Sequence, residues 1–233
     1  MNYKFFKINF SNTVKKSFDF LPRDIYYPNL RYRRYSLIDL NENKIIGNEV
    51  FNQDINYNKY LGNKIRKYDN INKYLLNDYT FLNLLTLFKK NINLGNNDLK
   101  NNDLKNNDLK NINLENINME NNENNNLIEN INKIYVHQIR VSANNQNINP
   151  VPEGIHKDGF NFICIACVNR FNIDGPYNEI LDLNKNIVNK KILNENRALF
   201  LNDNKYYHNV TKFKKVNKYL KGYRDIFVLT TFN

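Results

Sequence analysis

The stretch IHKDGFNFICIACVNR, residues 155–170, carries the strongest structural signal in this chain. Its apolar run from Phe162 to Val168 lies next to Asn and Gly residues that favour turns, a pattern that predicts one long strand over 155–170. Five further segments have the same short or alternating pattern: 133–141, 179–183, 198–202, 206–213 and 223–232. Because no helical pattern separates these six segments, we predict a mainly β fold of the sandwich, jelly-roll or barrel type.

The part of the chain before residue 95 has a mixed pattern. Residues 35–40 and 44–50 are predicted to be short strands around a turn at Asn41, Glu42 and Asn43. Residues 73–94 place apolar side chains at steps of three and four, which predicts an amphipathic helix packed on a core.

An asparagine-rich segment follows that predicted helix. The pentapeptide NNDLK occurs three times in tandem over residues 96–110, and asparagine dominates up to residue 126. Its leucines recur every five residues, which fits neither the helical nor the strand period. We interpret 91–130 as a disordered or weakly helical insertion within a single domain that spans 1–233.

Composition limits the cellular setting and the partners. Two cysteines are too few for a disulfide scaffold, and the apolar runs are too short for a membrane span or a signal peptide, so we expect a cytoplasmic protein without a membrane partner. The net charge of +11 is compatible with nucleic-acid binding. The basic runs are short and no nucleic-acid motif accompanies them, so we do not expect that partner.

The three histidines of the chain all lie in the β-rich half. If His156 and Asp158 share a strand, their side chains leave the same face, and His208 lies on another predicted strand. Two imidazoles and one carboxylate on one face are the ligand set of a non-haem Fe(II) oxygenase. Arg224 follows in the last strand, and its fork geometry suits a carboxylate such as that of 2-oxoglutarate.

Other polar residues have simpler interpretations. Cys164 and Cys167 are three residues apart in a predicted strand, so they should lie on opposite faces as buried residues. His137 is interpreted as a structural histidine. Asp203 is either a turn residue or a partner that orients His208. Asp225 should point away from the face that carries Arg224.

Several segments together resemble the 2-oxoglutarate-Fe(II) dioxygenase family that includes bacterial L-isoleucine dioxygenase. The resemblance covers most of the chain outside 91–130. In the β-rich half it rests on HQIRV (137–141), PEGIHKDGFNFICIACVNRFNIDG (152–175), LFLNDNKYYHNVT (199–211) and YRDIFVLTTF (223–232). Nearer the N-terminus it rests on FDFLPRDIYY (18–27), YRRYS (32–36) and FNQDINYNKYLGNKIRKYD (51–69).

The resemblance implies a fold and a set of site residues. The fold is a double-stranded β-helix, a jelly-roll variant that agrees with the predicted strands. His156, Asp158 and His208 would bind Fe(II), and Arg224 would hold 2-oxoglutarate, which is used with O₂. Arg140 matches a family position too, and we expect it to face the pocket and to hold a carboxylate of the substrate or co-substrate.

We therefore expect an Fe(II)/2-oxoglutarate-dependent dioxygenase. By resemblance it would hydroxylate an aliphatic C–H bond of a small substrate, a free amino acid, and release succinate and CO₂. One alternative is the same site acting on a protein or a nucleic acid. The other is a non-catalytic β-scaffold that mediates interactions, which the complete set of four site residues disfavours.

Overall fold

The computed structural model describes residues 3–27, 30–47, 50–59, 61–106, 132–144 and 146–231. Helices are few: α1 (Asn12–Lys16), α2 (Tyr79–Asn106) and the 3-10 helices Ser17–Phe20 and Lys73–Asn77. The strands of the first half are β1 (Tyr3–Lys7), β2 (Arg31–Asp39), β3 (Lys44–Ile45), β4 (Val50–Phe51) and β5 (Arg66–Lys67). Those of the second half are β6 (Lys133–Ser142), β7 (Phe162–Phe171), β8 (Ile173–Asp174), β9 (Tyr177–Leu181), β10 (Ile187–Ile192), β11 (Arg197–Asn202), β12 (Tyr207–Val210), β13 (Lys214–Lys215) and β14 (Tyr223–Thr231).

Two antiparallel sheets form the body of the molecule. The large sheet has seven strands in the order β1-β11-β7-β14-β6-β2-β3, and the small sheet has the order β10-β9-β12. Ile180 of the small sheet packs with Ile163, Ile165 and Leu199 of the large sheet. The mainly β, jelly-roll-like architecture predicted from the sequence is confirmed.

The opposite face of the large sheet packs on the helices. Phe227 of β14 is fully buried there, and its ring lies 5.1 Å from that of Phe18, 5.1 Å from that of Phe81 and 6.1 Å from that of Phe10, measured between ring centroids. Helices therefore cover one face, while the other face is left for the small sheet and for a cavity.

The predicted helix over 73–94 is present with different bounds. A 3-10 helix (Lys73–Asn77) comes first, and α2 begins after Asp78, whose carboxylate accepts hydrogen bonds from the backbone N–H groups of Thr80 and Phe81. Helix α2 continues to Asn106, past the start expected for the insertion, and Ile92 is fully buried. The rest of the expected insertion, residues 107–131, lies outside the described residues, so its nature stays a prediction.

The predicted strand over 155–170 is wrong in its first part. Strand β7 begins at Phe162, and the residues before it form a loop with a single β-bridge between His156 and His208. Gly154 and Gly159 both have positive φ, of 68° and 83°. A strand cannot continue through this left-handed conformation, and glycine adopts it readily.

The two cysteines lie on opposite faces of β7, as predicted. Cys164 belongs to the core between the sheet and the helices, and Cys167 belongs to the core between the two sheets. Burial raises the pKa of both thiols. No helix in the described part of the chain is long and apolar enough to cross a membrane.

Candidate metal centre

Three ligand-type side chains from two elements meet at one point. His156 and Asp158 lie on the loop before β7, and His208 lies on β12. Their ligand atoms all lie within 4.8 Å of one another. The loop is joined to β12 by two backbone hydrogen bonds, from His156 N–H to the His208 carbonyl (3.0 Å) and from His208 N–H to the His156 carbonyl (2.9 Å). The convergence expected of one strand face is thus achieved by a loop that bridges to a strand.

Both imidazoles turn the same nitrogen towards Asp158. Nε2 of His156 lies 3.4 Å from Oδ1 of Asp158, and Nε2 of His208 lies 3.6 Å from Oδ2. Nδ1 of His156 is 2.7 Å from the Gly154 carbonyl and donates to it, which leaves Nε2 to bind a metal. Two neutral imidazoles and one carboxylate fit ferrous iron, because this donor set leaves coordination positions open for other ligands.

In the metal-free protein, the neighbouring residues keep both His156 and Asp158 in their charged forms. Burial alone would lower the pKa of His156, but the hydrogen bond and the negative charge of Asp158 raise it to about 9 in the metal-free protein. The two histidines hold the pKa of Asp158 below its usual range although burial acts in the opposite direction. A metal cation would take over this stabilisation of the carboxylate and displace the imidazole proton.

Asp203 connects the two ligand-bearing elements. It is buried, and its Oδ2 accepts a hydrogen bond of 2.8 Å from the backbone N–H of Gly159. Its Oδ1 lies 3.6 Å from Nδ1 of His208. Of the two roles left open by the sequence, the structure favours that of a partner beside His208. Gln53, which the sequence analysis missed, donates to the Asp158 carbonyl at 2.9 Å.

The two glycines that flank the ligand loop offer a matched test. A Cβ at Gly159 would lie 2.5 Å from the Tyr57 ring, whereas a Cβ at Gly154 would meet no atom within 4 Å, and both residues have positive φ. We expect Gly154→Ala to lower the free energy of unfolding by about 1 kcal/mol, through backbone strain alone. Gly159→Ala should cost about 1 kcal/mol more and weaken Fe(II) binding, because Tyr57 and the loop must move. Urea unfolding and metal titration measure both, and equal costs would contradict the clash.

The metal centre opens into a cavity over the large sheet. Apolar side chains of three neighbouring strands and of the small sheet line much of it: Ile139, Val141, Ile165, Val210, Ile226 and Val228. Further lining comes from Tyr27, Phe51, Gln53, Asn58 and Phe160, and from the loop residues Pro150, Val151 and Glu153. The cavity therefore combines apolar side chains with polar and charged ones.

Arg224 lies in this cavity, as its position on the last strand predicted. It is 3% exposed and shares its face of β14 with Ile226, Val228 and Thr230, all of which line the cavity. Its Nη2 donates to Oδ1 of Asn178 at 3.2 Å, and its buried Nε has no hydrogen-bond partner within the described ranges. The cationic group is thus buried without a carboxylate partner, an arrangement that fits an anionic ligand.

Arg140 does not line this cavity, and the expectation that it faces the pocket is wrong. Its Nε and Nη2 donate to the two carboxylate oxygens of Asp225 at 2.6 and 2.8 Å, and its Nη1 donates to Asp19 at 2.8 Å. Arg140 pairs directly with Asp225 across β6 and β14, so both side chains leave the sheet on the face opposite to Arg224. The expected orientation of Asp225 is confirmed.

His137 and three arginines complete the lining. Arg31, Arg33 and Arg66 lie in the cavity, and Arg33 donates to Nδ1 of His137. Burial and the charges of these arginines hold the pKa of His137 well below its usual value, so the imidazole stays neutral. Arg31 and Arg33 were not predicted as site residues because the strand was predicted to begin at residue 35. The alternation of Arg31, Arg33 and Tyr35 was the available signal.

Comparisons with known proteins give the family and the fold of this chain. A family model described as 2OG-Fe dioxygenase matches residues 15–230. No curated protein matches the chain.

Three solved structures share the fold at low identity. A bsmA homolog from Methylobium petroleophilum PM1 has a TM-score of 0.66 at 17% identity, over 94% of this chain and 79% of that one. The protein described as IDO from Bacillus thuringiensis has a TM-score of 0.53 at 16% identity, over 94% and 82%. The Fe(II)/(alpha)ketoglutarate-dependent dioxygenase TqaL has a TM-score of 0.57 at 13% identity, over 100% and 83%.

Proposed function

This chain belongs to the 2OG-Fe dioxygenase family, and from that premise we propose that it hydroxylates an aliphatic C–H bond of a free amino acid. As a member of this family the chain is an oxidoreductase that uses Fe(II), 2-oxoglutarate and O₂, not a non-catalytic scaffold. The bound metal and co-substrate supply the oxidising chemistry, in which 2-oxoglutarate and O₂ are converted into succinate and CO₂ while the substrate is hydroxylated.

His156, Asp158 and His208 are the iron ligands in this proposal. The observation that carries it is the convergence of two imidazoles and one carboxylate, with ligand atoms within 4.8 Å of one another, in the lining of the cavity. The Gly154 carbonyl fixes the ring of His156, and Asp203 lies beside the ring of His208. Such partners keep ligand histidines oriented and basic.

Arg224 is proposed to hold the distal carboxylate of 2-oxoglutarate. Its buried guanidinium donates to Asn178, its Nε has no hydrogen-bond partner among the described residues, and it shares the cavity with His156, Asp158 and His208. The apolar side chains around it exclude water, which strengthens a charge-assisted pair.

The substrate assignment rests on motif resemblance and on the cavity. The motifs of this chain resemble those of free amino-acid hydroxylases, and the apolar side chains of the cavity suit an aliphatic side chain. Polar and charged residues in the lining would orient the carboxylate and ammonium groups. The protein thus contributes position and a dry pocket, with Arg224 and the ligand loop fixing the two ends of the co-substrate.

Anaerobic titration with Fe(II) and then 2-oxoglutarate tests the proposal. We expect a visible metal-to-ligand charge-transfer band that needs both additions. Succinate release in air should then rise when a suitable free amino acid is added. A folded protein that shows no band and binds no iron would refute the assignment of the site, and succinate release unaffected by every amino acid would refute the substrate class.

A matched pair of arginine variants tests the co-substrate clamp. We expect Arg224→Met to weaken 2-oxoglutarate binding about a hundredfold, because a buried carboxylate loses its charged donor. Arg140→Met should leave that affinity unchanged and lower the free energy of unfolding by about 2–3 kcal/mol, because buried Asp225 then keeps only the hydrogen bond from Asn169. Calorimetric titration and urea unfolding measure the two effects. Weaker co-substrate binding in Arg140→Met instead would reverse the assignment.

A further inference from the structure

Two arginines of the cavity are buried without an acidic partner. Arg33 is 4% exposed, and its guanidinium lies 4.5 Å from the centre of the Tyr68 ring and 5.3 Å from that of Phe51. Arg66 is 1% exposed and lies 4.5 Å from the centre of the same Phe51 ring. Within the described ranges, Nε of Arg33 and both Nε and Nη2 of Arg66 have no hydrogen-bond partner. Unpaired buried charges are costly, so these donors favour an anionic ligand.

Arg31 differs from these two residues. Its Nε lies 3.5 Å from a carboxylate oxygen of Asp24, a residue that is itself almost fully buried. The charge of Arg31 is therefore compensated inside the protein. Arg33 contacts the Tyr68 hydroxyl and neutral His137, and both Arg33 and Arg66 lie over aromatic faces. In the described part of the chain, neither guanidinium forms an ion pair with a carboxylate.

The arginine pair and Arg224 lie on different sides of the cavity. Arg33 pairs with Ile139 of β6, and Ile139 pairs with Ile226 of β14, the strand of Arg224. Because neighbouring strands are about 4.8 Å apart, β2 and β14 are separated by about 10 Å across β6. The arginine pair thus lies two strands away from Arg224 and offers a second group of cationic donors in the same cavity.

We propose that Arg33 and Arg66 hold the carboxylates of the substrate and that the substrate is an acidic amino acid with two carboxylates. This deepens the proposed function and rests on it. The cavity offers apolar side chains for the aliphatic part of such a molecule, and the Glu153 carboxylate in its lining can pair with the ammonium group.

Charge balance distinguishes an acidic from a neutral amino acid. Ferrous iron and Arg224 are neutralised by Asp158 and by the two carboxylates of 2-oxoglutarate, and Asp24 neutralises Arg31. Among the described residues that line the cavity, Glu153 supplies the one further carboxylate to set against the charges of Arg33 and Arg66, so one positive charge remains in the lining. A neutral zwitterion leaves that charge in place, whereas a dicarboxylic amino acid cancels it.

Calorimetry with matched ligands tests the subsite. The probes are L-glutamate and L-aspartate against L-glutamine and L-asparagine, which have nearly the same shape without the second charge. The protein is loaded with Mn(II) and 2-oxoglutarate to prevent turnover, and the titration is repeated on metal-free protein. We expect an acid to bind at least about tenfold more tightly than its amide, since one charged hydrogen bond contributes that much.

The variants separate a binding role from a structural role. Arg33→Gln and Arg66→Gln should weaken binding of the acid about a hundredfold and abolish the preference over the amide, while Arg66→Lys should retain part of it. Arg34→Gln is the control on the same strand, because Arg34 points away from the cavity and donates to the Asn70 carbonyl. Neither Gln variant should lower the melting temperature, because an unpaired buried charge is removed in each.

Equal binding of acids and amides, or Gln variants with wild-type affinity, would overturn the proposal. The proposal would also be overturned if the Gln variants lost affinity for 2-oxoglutarate but kept their affinity for the acid. Arg33 and Arg66 would then bind the co-substrate and not the substrate. The wild-type protein could instead bind neither metal nor 2-oxoglutarate and still prefer the acid in the metal-free titration. That result would refute the proposed function and support the subsite.

Discussion

Asp158→Asn should abolish Fe(II) binding and succinate formation. Asp158 supplies the carboxylate between the two Nε2 atoms, and an amide is a far weaker ligand for ferrous iron that brings no negative charge. We expect the affinity for iron to fall at least about a thousandfold, beyond the 10–100-fold that is typical of losing a residue behind the ligands. Metal titration under anaerobic conditions measures it.

Two other carboxylates serve as comparisons for that variant. Asp203→Asn should weaken iron binding by about 10–100-fold, because Asp203 contacts the ligand loop and lies beside His208 without reaching the metal position. Asp182→Asn should have no effect on iron, because Asp182 lies in the turn after β9 and accepts from Asn186. Iron binding that survives in Asp158→Asn would exclude Asp158 as a ligand.

Asp158→Asn can also be tested in the metal-free protein, through the pKa of His156. The pKa of His156 is about 9 because Asp158 outweighs the effect of burial. Its raised pKa stabilises the fold fully below pH 6.5, the ordinary value, and that contribution is lost as pH rises through 9. In Asp158→Asn the pKa of His156 should fall and this pH dependence should shrink, which NMR titration of the imidazole can follow.

Phe227→Ala should destabilise the protein more than any change at the surface. Its ring is fully buried between the large sheet and the helices, in contact with three other phenylalanine rings. Truncation of such a ring costs about 3–5 kcal/mol, which corresponds to a melting temperature lower by on the order of 10 °C. Scanning calorimetry measures the change.

Phe171→Ala is the matched control for that truncation. Phe171 ends β7, is 46% exposed and contacts Tyr223, so its removal leaves little empty space. We expect it to cost less than about 1 kcal/mol. Comparable costs for the two variants would contradict the packing of the helical layer on β14.

Saturating metal and co-substrate should raise the melting temperature of Phe227→Ala, since ligands stabilise the folded state that binds them.

Period-two patterns predicted the part of the site that lies on regular strands. The alternation along 223–232 correctly separated Arg224, which lines the cavity, from Asp225, which faces the other side. The alternation along 133–141 places Arg140 on the face opposite to His137 and Ile139. The family resemblance implied instead that Arg140 faces the pocket. The expectation for Arg140 failed because β6 pairs in register with Asp225, a partner that only the sheet topology reveals.

Other features of the site depend on backbone conformation and on where strands begin and how short they are. The ligand loop was predicted as part of a strand because it directly precedes the apolar run 162–168, whereas Gly154 and Gly159 turn the chain there. Arg33 was missed because it lies before the predicted start of β2, and Arg66 because β5 has only two residues. Such short elements form through tertiary contacts that local sequence does not encode.

The link that Asp203 makes between the ligand loop and His208 has a consequence for the thermodynamics of metal uptake. Backbone hydrogen bonds between His156 and His208 and the contact from Gly159 to Asp203 fix the loop before any metal arrives. The conformational entropy of ordering the three ligands is therefore lost during folding and not during coordination. Iron bound at the proposed site would therefore exchange without local refolding, and its affinity would reflect ligand bonding and desolvation.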